Sequence, residues 1–211
     1  MTADGRAQPT FGRSVFVNCP FDPDYRPLFR ALVFAVEACG FYVRCALEID
    51  DAGETRAEKL LRIVRDSGFG IHDLSRTELN ANQLPRFNMP YELGMFVGFK
   101  QGGHRRQARK VILILDREPY RYQQFLSDIA GQDIRSHDGR PEVLIREVRH
   151  WLRAQSKRSL PGAERLVREF ARFQTELPEL LVELQLTDAD LESYADFHSL
   201  VYHWLATNQT R

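Results

Sequence analysis

The residue best placed to do chemistry in this chain is a glutamate held between a proline and a glycine. In Asn88-Met89-Pro90-Tyr91-Glu92-Leu93-Gly94, Pro90 is expected at the first position of a helix, where its fixed φ suits the turn it opens, and Glu92 then falls in the first turn. Backbone amides there favour an ionised carboxylate by roughly 0.3–1 kcal/mol, which could be the whole reason for the acid. Catalysis is the alternative. Gly94 and Gly98 point toward it, since a helical glycine costs about 1 kcal/mol and suggests close approach of another element or a ligand. Tyr91 adds a ring.

Further candidates lie on loops. Asp73 closes a strand in Ile71-His72-Asp73-Leu74-Ser75-Arg76, where Asp73 and Ser75 serve either as ligand contacts or as turn formers. Asn88 bonds a ligand or caps its helix. Asn18, Phe21, Asp22 and Tyr25 share the first loop, where a ring can stack on a base and a carboxylate can bond ribose hydroxyls; Phe21 and Tyr25 suit a core equally well. Arg44 and Glu48 line the site or form a surface ion pair. Glu48-Ile49-Asp50-Asp51 lacks the oxygen spacing of a calcium loop, and His72, His104 and His137 lack paired ligand spacing, so no metal is assigned. Arg105-Arg106, Arg109-Lys110 and Arg117 to Arg121 could bind phosphate or be solvated loops. There is no Walker loop, Rossmann glycine fingerprint or G-x-S-x-G elbow.

These residues must be positioned by alternating strands and helices. Val15–Val17, 41–47, 68–74, Val111–Leu115 and 133–136 read as strands, the fourth being a run of branched apolar residues suited to a buried parallel strand. Tyr25–Gly40, Thr55–Asp66 (inward face Leu60, Leu61, Val64), Pro90–Lys100, Tyr122–Ala130 and Pro141–Ala154 read as helices. The expected class is α/β: an open, doubly wound, flavodoxin-like five-stranded parallel sheet with a C-terminal helical appendage. Ligands in such folds sit beyond the carboxyl ends of the strands.

Residues 1–13 are expected to form a flexible arm, 14–156 the nucleotide-binding domain and 157–211 a helical extension. In the extension Thr187, followed by Asp188 and Asp190, suggests a helix N-cap, and Leu191, Tyr194, Phe197, Val201 and Leu205 form an apolar stripe. Left in water, that stripe would exceed the usual apolar patch of a monomer, so it predicts a homo-oligomer or a permanent helical clasp.

At 211 residues and 43% hydrophobic, the chain can bury a full core. Its 29 basic and 29 acidic residues cancel, removing the global field behind nonspecific nucleic-acid binding. Cys19, Cys39 and Cys45 have neither C-x-x-C spacing nor a signal peptide ahead of them and read as buried thiols in a reducing cytoplasm. No apolar run approaches the roughly 20 residues of a membrane span.

Tyr91-Glu92-Leu93-Gly94 followed by Gly98 resembles the glutamate helix of the nucleoside 2-deoxyribosyltransferases, and Phe16-Val17-Asn18-Cys19-Pro20-Phe21 resembles their first strand and nucleotide-contacting loop. TIR domains, some of which cleave NAD, share that fold and glutamate position. The resemblance spans residues 14–135 in element order; where the family has Gly-Thr or a similar small pair before the helix, this chain has Asn88-Met89-Pro90. It implies N-glycosidic cleavage or ribosyl transfer on a nucleoside, nucleotide or NAD, with no resident cofactor. Glu92 would be nucleophile or charge stabiliser, and Asp73, Asn88 and Asn18 would hold the sugar. The TIR side implies bacterial signalling or defence. The alternative is a non-catalytic nucleotide-sensing or scaffolding module.

Overall fold

The computed structural model describes residues 9–48, 53–77, 87–129 and 131–208. The chain forms two compact units, neither contiguous in sequence: Met1–Tyr25 with Phe41–Gly139, and Arg26–Gly40 with Arg140–Arg211.

The first unit holds the sheet. Its strands are β1 (Ser14–Asn18), β2 (Tyr42–Arg44), β3 (Phe69–Asp73), β4 (Val111–Asp116) and β5 (Arg135–Ser136). All pair in parallel in the order β2-β1-β3-β4-β5, which is the flavodoxin-like order. The register sets Asn18 beside His72 and Asp73 beside Leu115, so the polar ends of β1 and β3 reach one edge.

Helices α2 (Arg56–Asp66) and α3 (Asn88–Gly102) cover one face. A capping box starts α2, the Thr55 side chain accepting from the Glu58 amide while Glu58 accepts from the Thr55 amide. Its buried face is Leu60, Ile63 and Val64, packed on Phe16 and Phe96. Leu61, expected inward, is 42% exposed, because the i, i+3, i+4 spacing from Leu60 selects Ile63 and Val64 and turns Leu61 away. At the other end of α2, buried Lys110 donates to the Val64 carbonyl at 2.6 Å and to that of Ser67, with its ammonium 4.2 Å from the centre of the Phe96 ring. Gly70 is required by close approach: a Cβ there would lie 2.8 Å from both His72 Nε2 and the Phe96 ring.

Helix α3 begins at Asn88, so Pro90 is its third residue and Glu92 its fifth, beyond the first turn. Phe87 occupies the cap with no side-chain bond, so Asn88 does not cap the helix. Residues 122–129 do not form the expected helix; 3-10 turns occupy Arg121–Gln124 and Ser127–Ile129, and Ala130 lies outside the described residues.

The second unit comprises α1 (Arg26–Ala38), α4 (Pro141–Ser156), α5 (Ala163–Glu183) and α6 (Tyr194–Asn208). Phe34 of α1 packs on Phe170, Phe173 and Trp204 with ring centres 5.3, 5.6 and 5.7 Å away. Thr187 does not cap α6; its amide and hydroxyl both donate to Asp190, closing a turn before a 3-10 segment. The stripe of Leu191, Tyr194, Phe197, Val201 and Leu205 is buried within the single chain, so an exposed stripe no longer argues for a homo-oligomer. Among the described residues no helix is long and apolar enough to cross a membrane.

Candidate active site

Asp73 anchors the carboxyl edge of the sheet. Its Oδ1 accepts from the Ser75 amide at 2.8 Å and from the Ser75 hydroxyl, and its Oδ2 accepts from Tyr25 Oη at 2.5 Å and His137 Nε2 at 3.0 Å. Burial alone would raise its pKa, but the bonds from His137, Ser75 and Tyr25 outweigh that and hold the carboxyl below its ordinary value. All four side chains are buried. Asp73, Ser75 and Tyr25, predicted to contact a ligand, are thus joined to one another.

His137 was not anticipated. No local motif marks it, and its partners lie 62 and 64 residues away, although it directly follows β5 and so obeys the same strand-end rule as Asp73. Asp73, Ser75 and His137 do not make a hydrolytic triad. The Gly139 amide donates to His137 Nδ1 at 3.0 Å, so Nε2 carries the proton, and Ser75 (2.8 Å) and Asp73 both meet that nitrogen. A triad histidine instead takes the serine proton on one ring nitrogen while its other faces the acid.

Asn18 is also spent internally. Its Nδ2 donates to the Met89 carbonyl at 2.8 Å and meets His72 Nδ1 at 3.0 Å, tying the end of β1 to the start of α3. Burial pushes the His72 pKa down to about 3, which keeps the ring neutral and able to accept. Arg44 and Glu48 form the ion pair, Nη2 to Oε1 at 2.5 Å, with the Cys45 amide also donating to Glu48. Asp50 and Asp51 lie outside the described residues.

Glu92 differs from all of these. It is 5% exposed, yet its carboxyl has no hydrogen bond or ion pair among the described residues. Burial lifts its pKa from 4.5 to about 7, opposed only in part by the charge of Arg56 at the start of α2. That overturns the expected ionisation by a first helical turn: desolvation outweighs the helix field one turn further in. Burial first, and then the charges of Asp73, Cys45, Glu92 and Asp22, push the pKa of Cys19 well up, so these acids lie within electrostatic reach of the end of β1.

Phe21, Asn88 and Tyr91 are exposed. Half-buried Asp22 accepts from the Tyr25 amide at 3.2 Å and pairs with Arg76 at 3.5 Å. The basic runs are divided: Lys110 is buried beneath α2, while Arg121 meets Asp116 at the carboxyl end of β4, Nη2 to Oδ1 at 2.5 Å, and donates to the Leu74 carbonyl. Gly94 and Gly98 are not crowded; a Cβ on either would meet nothing within 4 Å. Among the described residues no cluster of acids, histidines and cysteines could hold a metal.

A buried carboxyl whose pKa lies near 7 can trade a proton or oppose a developing cation. No family model, curated protein or solved structure matches the chain.

Proposed function

We propose that this chain cleaves or transfers the N-glycosidic bond of a nucleoside, nucleotide or NAD at the carboxyl edge of its sheet, with Glu92 facing the sugar. The observation that carries this reading is the Glu92 carboxyl itself, which is buried and has no hydrogen bond or ion pair among the described residues, a costly arrangement for a group with no chemical role. In the reaction, the C1′–N bond breaks with its electron pair leaving on the base, and positive charge builds on the sugar. Ionised Glu92 opposes that charge or bonds to C1′, after which water or a second acceptor takes the ribosyl group. With a pKa near 7, a large share of the protein carries the ionised form at neutral pH.

In this reading Phe21, exposed on the first loop, stacks on the base, and Asp22 and Asn88 meet the ribose. Asp73, Asn18, Tyr25 and Ser75 act indirectly, by fixing the strand ends and the start of α3. NAD or a nucleotide enters as substrate rather than resident cofactor. Three free, buried cysteines suit a reducing cytoplasm, where a role in signalling or defence would fit. The test is incubation with NAD and a nucleoside panel, with chromatography of released base. Wild type should liberate base and Glu92→Gln should not.

One observation favours the second reading, a sensing or scaffolding module. Asp73 and Asn18, two of the side chains expected to grip a sugar, are engaged within the fold, Asp73 by Tyr25, Ser75 and His137 and Asn18 by His72 and the Met89 carbonyl. Saturable nucleotide binding without base release, unchanged in Glu92→Gln, would support it.

A further inference from the structure

We propose that a second cleft, lying between α2 and α3 where both helices end, binds a small amphipathic anion: an apolar chain or ring system carrying one carboxylate or phosphate. Its volume of about 580 Å³ lies within the roughly 300–1,000 Å³ typical of small-molecule sites. Leu61, Met95 and Phe99 supply apolar surface, and Gly98 and Gly102 present bare helix backbone. A Cβ on either glycine would meet nothing within 4 Å, so the chain's own packing does not demand them. Glycine is a poor helix former, and two placed where any side chain would fit leave room for something from outside.

Polar groups converge there too. Arg65, 3.5 Å from Asp66, and His104 line the cleft, and the loop that leaves it, His104-Arg105-Arg106-Gln107-Ala108-Arg109-Lys110, adds basic residues in excess of that one acid in a chain of zero net charge. Arg106 is held by Asp66 at 3.2 Å, whereas Arg105 and Arg109 are exposed. Gln107, only 7% exposed and part of the lining, donates through Nε2 to the Arg65 carbonyl at 2.9 Å; its Oε1 is buried with no hydrogen-bond partner. Buried polar atoms are rarely left unpaired in an unliganded fold, so a ligand that carries a hydroxyl or N–H beside its anionic group would satisfy this one, while decanoate tests the apolar and anionic parts alone. An apolar floor under a cationic rim selects an amphipathic anion over a neutral lipid or a polar metabolite.

Decanoate is the probe, titrated into the full chain by calorimetry alongside decanol and acetate. Wild type should bind decanoate saturably at one site and at least tenfold more tightly than either control. Gly98→Leu fills the cleft where space is open and improves the helix, so it should lower decanoate affinity at least tenfold while the melting temperature holds or rises. Arg65→Gln should weaken decanoate severalfold and leave decanol unchanged. Absence of saturable binding, decanol binding as tightly as decanoate, or full affinity in Gly98→Leu overturns the proposal. So does a change of solution mass in Gly98→Leu, which would make the cleft a contact with a second copy.

Discussion

Replacing Glu92 by Gln should make the protein more stable at alkaline pH, although it removes the group assigned to the chemistry. Burial holds the folded-state pKa at about 7, against 4.5 for an ordinary glutamate. Below pH 4.5 folded and unfolded chains both carry the proton, and Glu and Gln differ little. Between 4.5 and about 7 the unfolded chain ionises while the folded chain keeps its proton, so the wild type loses stability as pH rises; above about 7 the loss is complete. Each pH unit of that window is worth about 1.4 kcal/mol, which puts the total at about 3 kcal/mol. Glutamine keeps the volume and never ionises. Urea denaturation of both proteins at pH 4.5, 6 and 8 reads the difference directly: near zero at the lowest pH and about 3 kcal/mol in favour of Glu92→Gln at the highest. A difference that does not change with pH, or a glutamine variant less stable at pH 8, refutes the assignment of an unpaired buried carboxyl.

If ionised Glu92 is the active form, base release should rise with pH through about 7 and then level off; a rate that falls across the same range would assign the protonated form instead. Tyr25→Phe removes the hydroxyl that donates to Asp73 and should cost about 2 kcal/mol in urea denaturation, a loss of under 0.5 kcal/mol counting against the buried network. Burial lowers the Lys110 pKa from 10.5 to about 7, so the unfolded chain binds the extra proton between those values and wild-type stability should climb from pH 7 toward 10 relative to Lys110→Met; parallel pH profiles would show otherwise. Truncation after Arg158 removes Phe170, Phe173 and Trp204 from Phe34 within the second unit, and the fragment should aggregate or unfold without cooperativity, as light scattering and thermal melts would show; a monodisperse, cooperatively melting fragment refutes it.

What the residues alone determined was the alternation of strands and helices and hence the class of fold. Val111–Leu115, a run of branched apolar residues, reads as a strand, and Thr55 with Glu58 marks the start of α2, because residue preference and capping are local properties. The positions of Asp73 and Asn18 at strand ends followed from the same periodicity. Their partners did not. His137 reaches Asp73 across 64 residues, and Asn18 reaches the Met89 carbonyl across 71, distances over which local pattern carries no information. Leu61 and Ile63 are alike as residues; the spacing from Leu60 favours Ile63 and Val64, and packing against Phe16 and Phe96 fixes that face inward. The stripe on α6 declared itself apolar, but folding of the second unit decided that it is buried within the chain. Glu92 shows the division most sharply. Its place near the start of a helix was legible and suggested an ionised acid; its protonation depends on how much water the surrounding elements exclude, and desolvation is a property of the assembled fold.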